Sequence, residues 1–199
     1  MAMRVSPVTL ELPAGAARLE PLTLDHAPGL FEASRDPDTW RFLPERQPET
    51  QEDMLALVRT ALDERDRGAR LPFAVIDTRT GVAAGTTSYL DIQPANRGLE
   101  IGWTWIGPTA RRTAVNTQCK YMLLRHAFET LGAVRVCLKT DARNERSQRA
   151  ILRIGALYEG RLRRSRMLHN GYFRDTMYYS ILDSEWPGVK TRLESMLNR

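Results

Sequence analysis

Residues 100 to 131 restrict the fold of this chain more than any other stretch. Strand character from Glu100 to Ile106 ends at Gly107-Pro108, and a short basic loop follows, Arg111-Arg112-Thr113-Ala114-Val115-Asn116-Thr117. From Gln118 to Leu131 the apolar residues Tyr121, Leu124, Ala127, Phe128 and Leu131 then recur at helical spacing. A strand feeding a helix through so short a loop gathers the helix's unpaired first N–H groups and the positive end of its dipole at one spot. Arg111 and Arg112 add full charges there, so the junction suits an anion such as phosphate or pyrophosphate. A basic loop that simply enters a core helix accounts for the same residues, and both readings stand at this point.

The flanking elements set the sheet. Gly132 is a C-terminal cap for the helix, and Val134 to Lys139 alternates as a strand with Val136 and Leu138 on one side. Strand, helix and strand must cross over, so these two strands are expected to be parallel with the helix on one sheet face. Upstream, Pro72 to Asp77, Val82 to Ile92 and Leu99 to Ile106 are punctuated by turns at Thr78 to Gly81 and Pro94 to Gly98, an antiparallel meander. Downstream, Tyr158 to Leu168 and Tyr172 to Leu182 flank Asn170-Gly171, a two-residue hairpin signal. An opening hairpin (Val8 to Leu12 with Ala17 to Leu22) is expected, and four further helices. The first, Asp25 to Ser34, is capped by Thr23. The second follows Thr50 and Asp53 and carries Met54, Leu57, Val58, Ala61 and Leu62; the third follows Asn144, with Ala150, Ile151 and Ile154 inward. The last starts at Asp183-Ser184 and presents Val189, Leu193, Met196 and Leu197. The proline-bounded segment Asp36 to Pro44, with Trp40 and Phe42, reads as a hydrophobic plug or as an acceptor-site loop. A mixed α/β fold follows.

At 199 residues, 42% hydrophobic and 27% charged, the chain suits one globular domain, 1–199. Its net charge of +5 favours acidic partners without choosing among them. Cys119 and Cys137 have neither metal-ligand nor disulfide-framework spacing, no apolar run reaches a membrane span, and no leader is evident, so a cytoplasmic protein without a membrane role is expected. His26, His126 and His169 are scattered, and no metal site is expected. The basic run Arg161 to Arg166 is read as a solvated strand edge, or as a guide for an acidic acceptor or ribosomal RNA; direct nucleic-acid binding is not expected.

Four motifs in order carry a resemblance. They are Leu99-Glu100-Ile101-Gly102-Trp103, Arg111-x-x-Ala114-x-Asn116, Asp141-Ala142-Arg143-Asn144-Glu145-Arg146-Ser147 and Asp175-Thr176-Met177-Tyr178-Tyr179-Ser180. From about Leu19 to Leu197 the chain resembles the GNAT superfamily of acetyl-CoA-dependent N-acetyltransferases, and within it the RimJ/RimL-type, ribosomal-protein N-terminal branch. The resemblance implies a mostly antiparallel mixed sheet with a splayed parallel pair and helices on both faces. It also implies acetyl-CoA as cofactor, with backbone N–H groups of Arg112 to Thr117 on the pyrophosphate and the edge of Thr104, Trp105 and Ile106 paired with the pantetheine amides. The family pattern has small, glycine-like residues where Ala114 and Asn116 stand, positions where positive φ is a use of glycine. In the wider superfamily a tyrosine often protonates the leaving sulfur; its matching position is Ile151, and the RimL-like branch implies Ser147 instead.

Glu100 is the candidate general base, directly or through water, with a solvated carboxylate paired to an arginine as the plain alternative. Asn144 is read first as a helix cap that can also meet the cofactor, and Ser147 as an ordinary helix-start serine or the thiolate's partner. Trp103 and Trp105 are expected on one face, in core or cofactor packing. An α-amine, with a pKa of about 8, is easier to present neutral than a lysine near about 10.4, which favours a protein N-terminus, for instance of a ribosomal protein, as acceptor. A small-molecule amine acceptor and a non-catalytic adaptor for ribosome or RNA are the alternatives, and a homodimer is compatible with the resemblance.

Overall fold

The computed structural model describes residues 3–198. In chain order the elements are β1 (Leu10–Glu11), β2 (Ala17–Pro21), α1 (Ala27–Ala33), α2 (Gln51–Asp66), β3 (Arg70–Asp77), β4 (Val82–Gln93), β5 (Gly98–Ile106) and α3 (Val115–Arg125). They continue with β6 (Arg135–Asp141), α4 (Glu145–Arg153), β7 (Leu157–Met167), β8 (Phe173–Leu182) and α5 (Trp186–Leu197). One sheet holds all eight strands in the order β1-β2-β3-β4-β5-β6-β8-β7. Its neighbours are antiparallel except β5 and β6, as the crossover through α3 demands.

Helices cover both faces, each over its own apolar cluster. On one face Leu30 of α1 and Met54, Val58 and Ala61 of α2 pack with Trp40, Ala74 and Ile76. On the other, Cys119, Met122 and Leu123 of α3, Ile151 and Ile154, and Leu193 of α5 pack against Phe73, Val75, Tyr89, Ile101, Val136 and Leu138. Trp40 is the expected plug: its indole Nε1 donates to the Ser34 carbonyl at 2.9 Å and its ring lies 5.5 Å from that of Trp105. Among the described residues no helix is long and apolar enough to cross a membrane.

Three helix starts differ from expectation. The last helix begins at Trp186, after a turn at 183–185, and not at Asp183-Ser184. The helix expected from Asp25 opens instead with a 3-10 turn at Leu24–His26, capped reciprocally by Thr23 and His26, and becomes α-helical only at Ala27, beside Pro28. The central helix begins at Val115, three residues before Gln118. The Thr113 hydroxyl accepts from the Val115 N–H at 3.2 Å, and Val115 is buried, so a local cap and one apolar anchor extend the helix ahead of its periodic run. Beyond Arg125 it widens into a π-helical turn, His126–Thr130.

The sheet carries one irregularity that shapes everything near it. Thr86 pairs with Trp105 but Ser88 pairs with Gly102, so Thr87 faces Trp103 and Thr104 together, and Trp103 takes a left-handed φ of 48°. This is a β-bulge. It explains why Ile101 lies in the α3-side core while Trp105 packs beside Trp40 on the opposite face. Trp103 and Trp105 do share a face, the one that strict alternation would deny them.

The bulge rests on close backbone approach at Gly85. A Cβ there would overlap the Trp105 carbonyl oxygen and sit 2.9 Å from the Ile106 Cα. Gly85→Ala is therefore expected to destabilise the fold by about 3 kcal/mol, read as a lower urea midpoint with an unchanged slope.

Candidate active site

Just ahead of the bulge β5 and β6 part. Their pairing runs only from Gly98↔Arg135 to Glu100↔Cys137, although β5 continues to Ile106 and β6 to Asp141. Beyond Glu100 the edge of β5 facing β6 has no strand to bond to, because β5 remains held by β4 and β6 by β8. A cavity of about 850 Å³ fills the gap and passes through the sheet. It has the size and mixed lining of a small-ligand site.

On the face of α3 and α4 the cavity meets the start of α3. The first bond within the helix ladder is from the Gln118 N–H to the Ala114 carbonyl, at 2.9 Å, which leaves the N–H groups of Asn116 and Thr117 ahead of it. Val115 differs: its N–H is taken by Thr113 and its side chain belongs to the core. Arg112 is exposed with φ 59°, so the left-handed position of the loop is Arg112 and neither Ala114 nor Asn116. Both of those are right-handed, Ala114 at φ −65° and Asn116 inside the helix, and the missing glycines leave no backbone strain. Arg112, Asn116, Arg149 and Arg153 line an adjoining basic depression, and Arg153 donates to the Thr117 hydroxyl at 2.7 Å.

The structure gives Arg111 a different task from the one its charge suggested. Its guanidinium turns inward to the Asp36 carboxylate and the Thr39 hydroxyl, while Nε donates to the Ile106 carbonyl at 2.9 Å. That side chain ties the loop to the Asp36–Trp40 segment and contributes tether rather than free positive charge.

Asn144 caps α4, its Oδ1 accepting from the Ser147 N–H at 3.0 Å. Asp141 supports the same turn by accepting from the Arg143 N–H at 2.8 Å. This capping brings Asn144, Ser147 and Ile151 to the cavity wall opposite Thr104, Trp105 and Ile106. On the other face lies Glu100, its Oε2 2.7 Å from the Lys139 ammonium, which also sits 5.0 Å from the Tyr178 ring. Glu100 and Ser147 thus line one cavity from opposite faces of the sheet.

Sequence reasoning missed Lys120. It is 8% exposed, four residues after Asn116 on the same helix face, and its Nζ donates to the Thr104 hydroxyl at 2.9 Å. Among the described residues it has no ion pair, and an ammonium with three donors keeps capacity directed at the cavity it lines. Burial pushes its pKa down to about 8. The helical spacing from Asn116 was the available signal. Lys139 was missed too; it lies two residues beyond Cys137, the register partner of Glu100.

The sequence pattern of the acetyltransferase (GNAT) domain matches residues 17–157. The chain belongs to the GNAT acetyltransferase family. Members of that family use acetyl-CoA, and the parted strands, the free helix start and the basic depression offer what its thioester arm and diphosphate require. The crystal structure of a GCN5-related N-acetyltransferase from Brucella melitensis is similar at TM-score 0.91 and 31% identity, covering 97% of this chain and 86% of that one. RimJ of Mycobacterium smegmatis, solved with CoA-disulfide, shares the fold at TM-score 0.80 and 21% identity over 96% and 95% of the two chains. A curated relative from Bacillus subtilis, "Putative ribosomal N-acetyltransferase YdaF", is 36% identical over 110 residues, 55% of this chain and 59% of its own length. The match thus spans somewhat over half of that relative.

Lys120 yields a pH-dependent prediction. Between about 8 and the ordinary 10.5 the unfolded chain binds a proton at this lysine that the folded one has lost, so the penalty from Lys120 should fall with rising pH across that window. Below about 8 both states carry the charge, and its burial costs on the order of 3 kcal/mol. Urea denaturation should find Lys120→Met more stable than the wild type at pH 7, with the difference shrinking between pH 8 and 10.5; a less stable variant at pH 7 would contradict the assignment.

Proposed function

We propose that the chain, acting as one domain over residues 1–199 in the cytoplasm, moves an acetyl group from acetyl-CoA to a primary amine, with a protein N-terminal α-amine as the favoured acceptor. The observation that carries this reading is the parting of β5 from β6 beyond Glu100↔Cys137, which opens one cavity to both faces of the sheet. When bound, acetyl-CoA supplies an already activated acyl group with a thiolate leaving group.

The chain's residues then divide the work. The N–H groups of Asn116 and Thr117, with Arg112 and Arg153 beside them, hold the diphosphate by hydrogen bonds and charge. The free edge of Thr104 to Ile106 pairs with the amide-bearing arm as an added strand does, while Asn144 borders the same channel. Lys120 holds Thr104 and fixes that edge. Backbone N–H groups on the free edge of β5 serve as donors to the developing oxyanion.

On the far face Glu100, oriented by Lys139, accepts the proton from the attacking amine directly or through water. Ser147 donates to the departing sulfur. The new bond joins amine nitrogen to acyl carbon as the carbon–sulfur bond breaks, and no protein acyl intermediate is formed. The thiols agree with that: burial pushes Cys119 up to about 12 and Cys137 to about 11, so neither is a ready nucleophile. The name of the Bacillus relative supports a ribosomal protein as the source of the N-terminus.

Glu100→Gln should lower kcat about a hundredfold at neutral pH while calorimetry finds nearly unchanged acetyl-CoA affinity. An unaltered kcat would remove Glu100 as the base. Arg112→Ala should weaken acetyl-CoA binding about tenfold, and equal affinity would move the diphosphate elsewhere.

A further inference from the structure

The acceptor end of the cavity contains a charge arrangement that acetyl transfer itself does not need. Arg166 of β7 and Arg174 of β8 are direct cross-strand partners, and both line the cavity. Like charges placed opposite each other on a sheet repel and destabilise the pairing. Two nearby arginines are matched to carboxylates, Arg161 with Asp175 and Arg143 with Asp141, whereas Arg146, also on the cavity wall, has no ion pair among the described residues. Arg166 and Arg174 have no ion pair among the described residues. The Arg174 contacts are neutral ones: Nε donates to the Thr176 hydroxyl at 3.1 Å and an Nη to the Phe42 carbonyl at 3.4 Å.

Burial and the facing Arg166 both push Arg174 below the ordinary arginine pKa, and Asp141 and Glu100 offset this only in part. Glu45 lies close enough to feel Arg166 and Arg70, but burial raises its own pKa and it makes no ion pair with either. Two forked cations thus point into the chamber where the amine must arrive, with donors that an anion would satisfy. The Trp103 ring stands beside Arg166, at 5.9 Å from its centroid, and beside Arg70, at 4.2 Å. The facing guanidiniums and the ring make one localised cationic site. That favours a compact carboxylate over a polymeric phosphate backbone, which needs an open basic stripe.

We infer that Arg166 and Arg174 form a carboxylate subsite, and that the acceptor is an amine carrying a carboxylate a few bonds from its nitrogen. The inference rests on the acetyl-transfer reading for its location and deepens it by naming the acceptor's charge. The carboxylate has two sources, an acidic side chain near a peptide N-terminus or the α-carboxylate of a free amino acid.

The test compares three amines with the full chain and acetyl-CoA: a peptide beginning Ser-Asp, the same peptide beginning Ser-Asn, and free serine. The Ser-Asp peptide, or free serine if the second source applies, should exceed the Ser-Asn peptide about tenfold in kcat/KM. Arg174→Gln should reduce that preference to within about twofold. Arg166→Glu, at an exposed position where folding is not at stake, should reverse it toward a peptide beginning Ser-Lys. Equal kcat/KM for all three amines, or a preference that survives both substitutions, would overturn the inference and leave acetyl transfer standing.

Calorimetry with CoA-loaded protein keeps the two readings separate if no amine is turned over. Tighter binding of the carboxylate-bearing amine, lost in Arg174→Gln, would uphold the subsite and count against catalysis. Equal or absent binding would overturn the subsite as well.

Discussion

Hydrogen bonding that β5 completes on one edge only is the constraint from which the site follows. A buried backbone donor or acceptor without a partner costs about 1–3 kcal/mol, so a strand in the middle of an eight-stranded sheet does not ordinarily leave an edge bare. Here the bulge at Trp103 turns the second half of β5 with β4, while β6 stays in register with β8 to Asp141. Neither strand can follow the other. The open edge faces a cavity, where an extended ligand with amides of its own can complete the ladder.

Around that gap the charges are sorted by face. The α3 side carries the helix start, Arg112, Arg153 and the buried Lys120, a field suited to a diphosphate-bearing arm. The other side carries the Glu100–Lys139 pair beneath Tyr178 and, farther along the hairpin, Arg166 and Arg174. Arg111 belongs to neither set. By bonding Asp36, Thr39 and Ile106 it fixes the loop that opens α3 to the segment bearing the Trp40 plug, so the two faces keep their relation across the sheet.

How far these features were legible in the chain depends on how local their causes are. The Thr50–Asp53 capping box and the Asn144 cap are short-range devices that appear where their residues predict, and the hairpin turns at Asn170-Gly171, though as a three-residue loop closed by Leu168 and Tyr172 with only Gly171 at positive φ. Helix starts were blurred where a neighbour intervened, Pro28 in one case and the Thr113 hydroxyl in another. The bulge was not readable, because the φ of Trp103 is set by Thr87 on another strand. Arg111 misled for the same reason: its partner Asp36 lies 75 residues away, and a guanidinium in sequence carries no sign of which carboxylate it will meet. The altered glycine positions also misled, since the left-handed residue of the loop is Arg112.

The central claim is that the arm of acetyl-CoA completes the free edge of β5 while its diphosphate occupies the start of α3. Amide hydrogen exchange of the full chain with and without CoA tests it directly. The account predicts slowed exchange confined to Trp103 through Ile106 and to Asn116 and Thr117, with the β4–β5 ladder unchanged. Protection that appears elsewhere, or no protection at saturating CoA, would contradict it.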